Sequence, residues 1–220
     1  KDVIDRYKLR GDTILDTLVD ILASAVGSLT NPTKLADTFN SHSIKTNKNT
    51  IAAYIDYLKD AFIISMAKRY DIKGKKYIGS PYKFYFTDVG LRNARLNFRQ
   101  QEQTHILENI IYNELLVRGF NVDVGIVEYR KRDGNGKIVE TRAEVDFVCN
   151  KGSRRYYIQS AFAIPDKEKM EQEQASFDRI DDSFKKVIVL QQHTKPWRNE
   201  KGYLMINVID FLLNPDSLEL

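Results

Sequence analysis

The chain has 220 residues, 42% hydrophobic and 29% charged, enough for one large domain or two small ones that each bury a core. Thirty-four basic against 30 acidic residues leave a net charge of +4, too small a surplus to imply nucleic acid by itself. The single Cys149 excludes an internal disulfide, and no apolar run is long enough to span a bilayer, so a cytoplasmic protein with no membrane partner is expected.

The opening Lys1-Asp2-Val3-Ile4-Asp5 has neither an initiator methionine nor the pattern of a signal peptide, and a piece of a longer protein is expected. Residues 2–27 read as helical, with Leu15, Leu18, Val19 and Leu22 near helical spacing and Gly27 as a stop. Asn31-Pro32 opens a further helix, with Asn31 as N-cap and Pro32 at the first helical position. Another helix is expected over 47–60, where Ile51, Tyr54, Ile55 and Leu58 form one apolar stripe. Strands at 62–67 and 83–86 follow, joined by a basic, glycine-containing stretch. Helices followed by a hairpin with a basic tip are in the order of a winged helix. In that arrangement Lys45, Lys48 and Asn49 face a DNA groove, and Lys73, Lys75 and Lys76 meet backbone phosphates. The bland alternative is a solvated basic loop on a protein-contact module. Residues 91–103 read as a polar connection carrying Arg92, Arg95 and Arg99.

A helix is expected over 105–118, ended by Gly119. Strands at 122–130 and 138–149 flank the turn Asp133-Gly134-Asn135-Gly136, and a third begins at Tyr156. A charged helix over 166–180, a buried strand at 186–190, a short strand at 203–206 and a helix over 208–213 complete the chain. Trp197 is read as a loop anchor, and His42, His105 and His193 have no metal-ligand spacing. A Walker loop would need glycine where Lys131 stands before Gly136-Lys137, so this chain has no ATP site of its own.

Alternation along a strand puts Glu144 and Asp146 on one face, and Gln159 and Ala161 on one face of the next strand. Paired carboxylates on a buried strand call for a partner, and a divalent cation is one. A carboxylate ending one strand and an acidic-x-lysine triplet on the next resemble the PD-(D/E)XK nuclease superfamily. Asp146 matches its aspartate, Gln159 stands at the acidic position, and Ala161 stands where the lysine belongs.

A wider resemblance rests on Lys83-Phe84-Tyr85-Phe86-Thr87-Asp88-Val89-Gly90-Leu91, Leu107-Glu108-Asn109, Asn113-Glu114-Leu115 with Arg118-Gly119, and Glu144-Val145-Asp146-Phe147. It is similar to the C-terminal region of a family of prokaryotic AAA-type ATPases, in which a winged helix and a nuclease-like domain of unknown function follow the ATPase module. The resemblance implies an α/β (α+β) chain with a helical and winged-helix domain over 1–100. A restriction-endonuclease-like α-β-β-β-α-β domain would occupy 101–220.

It also implies Asp146, Gln159 and Glu108 as the catalytic set, and Asp146, Glu108 and Glu144 as ligands of Mg²⁺. Losing the lysine removes a transition-state cation, an effect on the order of 10²–10³ in rate. Lys167 and Lys169 are candidates for a migrated replacement. The favoured expectation is an accessory region with an inactive or weakly active nuclease-like domain, recognising DNA or a protein partner beside its own upstream ATPase module. The alternatives are an active Mg²⁺-dependent DNA nuclease and a purely protein-interaction module.

Overall fold

The structure, a computed structural model, describes residues 2–8, 13–99 and 102–220. The chain is a mixed α/β protein whose strands form an eight-stranded mixed sheet. Its residues divide into two compact units, 1–67 with 79–109 and 68–78 with 110–220, so the hairpin tip belongs with the C-terminal part of the chain.

The first unit holds helices α1 (Asp2–Tyr7), α2 (Thr13–Ser24), α3 (Pro32–Ser41) and α4 (Lys48–Asp60). The stretch 2–27 that reads as helical contains α1 and α2, and residues 9–12 lie outside the described residues. Asn31 caps α3 by accepting from Lys34 N–H, and Asn47 caps α4 by accepting from the N–H groups of Asn49 and Thr50. The expected stripe on α4 is buried at Ile51, Ile55 and Leu58. Strands β1 (Ile64–Asp71) and β2 (Lys76–Phe86) follow, both longer than expected and both divided between the units.

Residues 91–103 are not the polar connection expected. Helix α5 (Val89–Arg95) starts at Asp88, whose side chain accepts from Gly90 and Leu91 N–H. Arg92 is buried and donates from Nε to the Ala23 carbonyl at 2.8 Å, while Arg95 bonds Asp20 at 2.8 Å. These arginines tie α5 to α2 instead of facing solvent. Helix α6 (Gln103–Val117) comes next, and Gly119 follows it at φ +78°, the left-handed conformation a helix stop favours.

The second unit contains β3 (Asn121–Arg132), β4 (Ile138–Lys151), β5 (Arg154–Ala161), α7 (Lys167–Gln174), β6 (Lys185–Leu190), β7 (Trp197–Arg198), β8 (Leu204–Asn207) and α8 (Val208–Leu213). The tight Asp133 turn joins β3 to β4, with Asp133 Oδ1 accepting from Asn135 and Lys137 N–H. Strands β3, β4 and β5 are antiparallel neighbours, whereas β5 with β6 and β6 with β8 are parallel. Parallel partners need a crossover, which α7 and the turn after it supply between β5 and β6.

Arg69–Asp71 of β1 pair in parallel with Val124–Ile126 of β3. One face of this unit's sheet buries Val145, Val148, Tyr157, Ile188 and Met205. Gly125 is required there, because a Cβ would lie 2.7 Å from Val148 and 2.9 Å from Ile72 and Val145. Helix α7 ends earlier than expected, and a 3-10 turn at Phe177–Arg179 replaces its last part. Trp197 is not a loop anchor: it pairs with Met205 in the short β7–β8 ladder.

Candidate functional site

Asp146 lies just past the end of the β4–β5 ladder, whose last pair is Phe147 with Ile158. Backbone groups beyond that pair need other partners, and side chains supply them. The Asp146 N–H donates to Gln159 Oε1 at 3.4 Å. In return Asp146 Oδ2 accepts from the Ser160 N–H at 2.8 Å and its hydroxyl at 2.7 Å. The side chains at the motif positions thus clasp two diverging strands. Asp146 is buried, Glu144 and Gln159 are half-buried, and Ala161 is buried with no polar group to offer.

Glu108 is committed within the first unit. Its Oε1 accepts from Lys83 Nζ at 2.8 Å and from the Tyr85 hydroxyl at 2.6 Å, and all three residues are buried. The neighbouring Asn109 donates to the Phe86 carbonyl at 2.7 Å and accepts from its N–H at 2.9 Å. Two of the motifs behind the wider resemblance therefore meet, Leu107-Glu108-Asn109 on α6 against Lys83-Phe84-Tyr85-Phe86 on β2. Of the expected metal set of Asp146, Glu108 and Glu144, the first two already have partners. Glu108 faces an ammonium, Asp146 faces two donors of Ser160, and among the described residues no group of three His, Cys, Asp or Glu could hold a metal ion. Lys167 and Lys169, the candidates for a migrated lysine, lie on α7. Both pair with glutamates of their own helix, Lys169 with Glu173 at 2.5 Å and Lys167 with Glu171 at 4.0 Å.

Lys45, Lys48 and Asn49 are exposed around the N-terminus of α4. Lys73, Lys75 and Lys76 are also exposed but sit in the second unit, where Lys73 lies 3.9 Å from Asp181.

Sequence reasoning missed a cavity of about 390 Å³ in the second unit, lined by Tyr70, Lys75, Arg154, Arg155, Asp182 and Phe184 among others. Arg155 donates from Nε to Asn150 at 2.7 Å, which holds its guanidinium 5.4 Å from the ring centres of both Tyr70 and Phe184. Asp182 accepts from the Tyr157 hydroxyl at 2.5 Å, and burial with that bond pushes the phenol pKa up. The signal was the Arg154-Arg155-Tyr156-Tyr157 run after a glycine turn, which alternation alone reads as a strand. Nearby, burial raises the Asp123 carboxyl pKa above the usual range, opposed by a bond from the Tyr77 hydroxyl and the charge of Lys68.

Residues 1–102 match a family described as a domain of unknown function, DUF8612. An uncharacterized protein of Haemophilus influenzae is 32% identical over 212 residues, covering 96% of this chain and 49% of that protein. Uncharacterized protein MJ1544 of Methanocaldococcus jannaschii is 27% identical over 151 residues, covering 68% of this chain and 33% of that protein. The chain thus spans half or less of the curated relatives it matches. Among solved structures, protein VC1899 from Vibrio cholerae aligns over 95% of this chain and 55% of its own, with 12% identity and a TM-score of 0.30.

Proposed function

We propose that this chain is a non-cleaving accessory region of a longer AAA-type ATPase, with a nuclease-like fold used for recognition. The observation that carries the reading is the clasp at Asp146. The carboxylate that would hold a metal accepts two hydrogen bonds from Ser160, and the position that would supply the cation is Ala161. A hydrolytic site needs open ligand positions for water and phosphate. A carboxylate spent on joining two strands contributes shape and stability instead.

The element orders support the rest of the reading. Helices α2, α3 and α4 and then β1 and β2 follow the order of a winged helix, and α6, β3, β4, β5, α7 and β6 follow that of a nuclease-like core. The exposed Lys45, Lys48 and Asn49 at the start of α4 favour duplex DNA as the partner of the first of these, by groove and phosphate contacts. The ATPase module would lie in parts of the longer protein outside this chain.

The test is to incubate the purified chain with single- and double-stranded DNA and millimolar Mg²⁺ or Mn²⁺. No cleavage is expected, and Mn²⁺ should leave the melting temperature unchanged. Cleavage that disappears in Asp146→Asn would overturn the reading in favour of a metal-dependent nuclease.

A further inference from the structure

Phe184, Arg155 and Tyr70 of the cavity lining belong to a row of rings and cations that the accessory reading leaves unused. In order the row runs Phe184, Arg155, Tyr70, Tyr77, Lys68. Arg155 lies 5.4 Å from the Phe184 and Tyr70 centroids, Tyr70 packs edge-on to Tyr77 at 5.6 Å, and Lys68 Nζ stands 5.8 Å from the Tyr77 ring. All five belong to the second unit.

Two of the rings are open to solvent, with Tyr77 62% and Phe184 40% exposed. Large aromatics left uncovered beside cations offer faces for stacking to flat partners that also carry negative charge. The cavity itself carries Lys75, Arg154 and Arg155 against the carboxylate of Asp182. Tyr157 hydrogen-bonds that carboxylate without removing its charge, and Arg154 also lies 3.6 Å from Glu219, so the lining's three cations outnumber its one carboxylate.

We infer that this row is a binding site for single-stranded nucleic acid. Unpaired bases stack on the exposed rings, and Lys75, Arg154 and Arg155 meet the phosphates between them. Interleaved rings and cations are what a single strand needs, since every base has a face to stack and every step carries a charge. A duplex hides its base faces and would meet only the cations. An acidic peptide would likewise leave the rings unused. The guanidinium of Arg155, positioned by its Nε bond to Asn150, is of the kind that makes paired hydrogen bonds with phosphate.

This inference goes beyond the proposed function and stands apart from it. The row does not include Asp146, Lys45 or Lys48, so failure here leaves the cleavage result and duplex binding through α4 untouched.

The experiment uses the whole chain and fluorescence anisotropy with labelled dT12 and rU12, a duplex of equal length, and poly-glutamate as competitor. Strand binding that weakens with salt is expected, with little loss to poly-glutamate or to AMP at equal concentration. Tyr77→Ala should weaken it roughly tenfold, the scale of one lost stacking contact. Lys75→Glu, at an exposed position, should weaken it as well without lowering the melting temperature. Lys45→Glu with Lys48→Glu should leave it unchanged. No strand binding, duplex binding of equal strength that Tyr77→Ala and Lys75→Glu weaken alike, full displacement by poly-glutamate or by AMP, or unchanged strand affinity in both Tyr77→Ala and Lys75→Glu would each overturn the assignment.

Discussion

Replacing Glu108 with alanine separates a structural carboxylate from a metal ligand. Its Oε1 bonds the Lys83 ammonium at 2.8 Å and the Tyr85 hydroxyl at 2.6 Å. The two charged side chains retain only 6% and 9% of their exposure, so water screens the pair little. Removing one member of such a pair leaves the other charge in a medium that cannot solvate it, at a cost of about 3–5 kcal/mol. For a urea slope of about 2 kcal/mol per molar, the midpoint of the affected transition should fall by roughly 1.5–2.5 M. Far-UV circular dichroism in urea reads this directly. Glu108→Gln should lose less, because the amide still accepts from Tyr85. The double variant Lys83→Met with Glu108→Leu should recover the parent's stability or exceed it, since no charge is then buried. A Glu108→Ala midpoint within the error of the parent would refute the reasoning.

Two further perturbations probe separate parts of the molecule. Lys45→Glu with Lys48→Glu should weaken duplex binding alike for all sequences and flatten its salt dependence, as lost phosphate contacts do; unchanged affinity would move any duplex site away from α4. Asp123 titrates above its usual range because it is buried, so the stability it contributes is complete at low pH and is lost as pH rises through its folded value. Asp123→Asn should therefore be more stable than the parent at neutral pH, with the gain vanishing in mild acid. An equal shift in melting temperature at every pH would show that burial of the charge is not the cause.

The elements with a strong local signal were legible in the sequence. Helix α4 was marked by its Asn47 cap and apolar stripe, and the β3–β4 turn by Asp133-Gly134-Asn135-Gly136. Helix α5 was not, because three arginines in a short segment read as a solvated link. Partners remote in sequence, among them the Ala23 carbonyl, Asp20 and Asp16, turn Arg92 and Arg95 inward. The candidate site was half visible. Alternation found the acidic strand and its polar neighbour, but it treats each strand as ideal to its end. It cannot see that the ladder stops at Phe147 and Ile158, where Asp146, Gln159 and Ser160 become clasping groups. Glu108 was singled out by resemblance alone, since nothing local announces that Lys83 and Tyr85 meet it.

The hairpin formed by β1 and β2 makes the two units inseparable by a single cut. The second unit takes residues 68–78 from within the span of the first, and the DUF8612 match ends at residue 102. A truncation starting just after that point would strip Arg69–Asp71 from Val124–Ile126 and turn β3 into a bare edge. Unpaired edges recruit other strands, so such a piece would tend to aggregate whatever its own core could support. A piece ending there would in turn carry the 68–78 segment, with its exposed Tyr77, away from the partners it folds against.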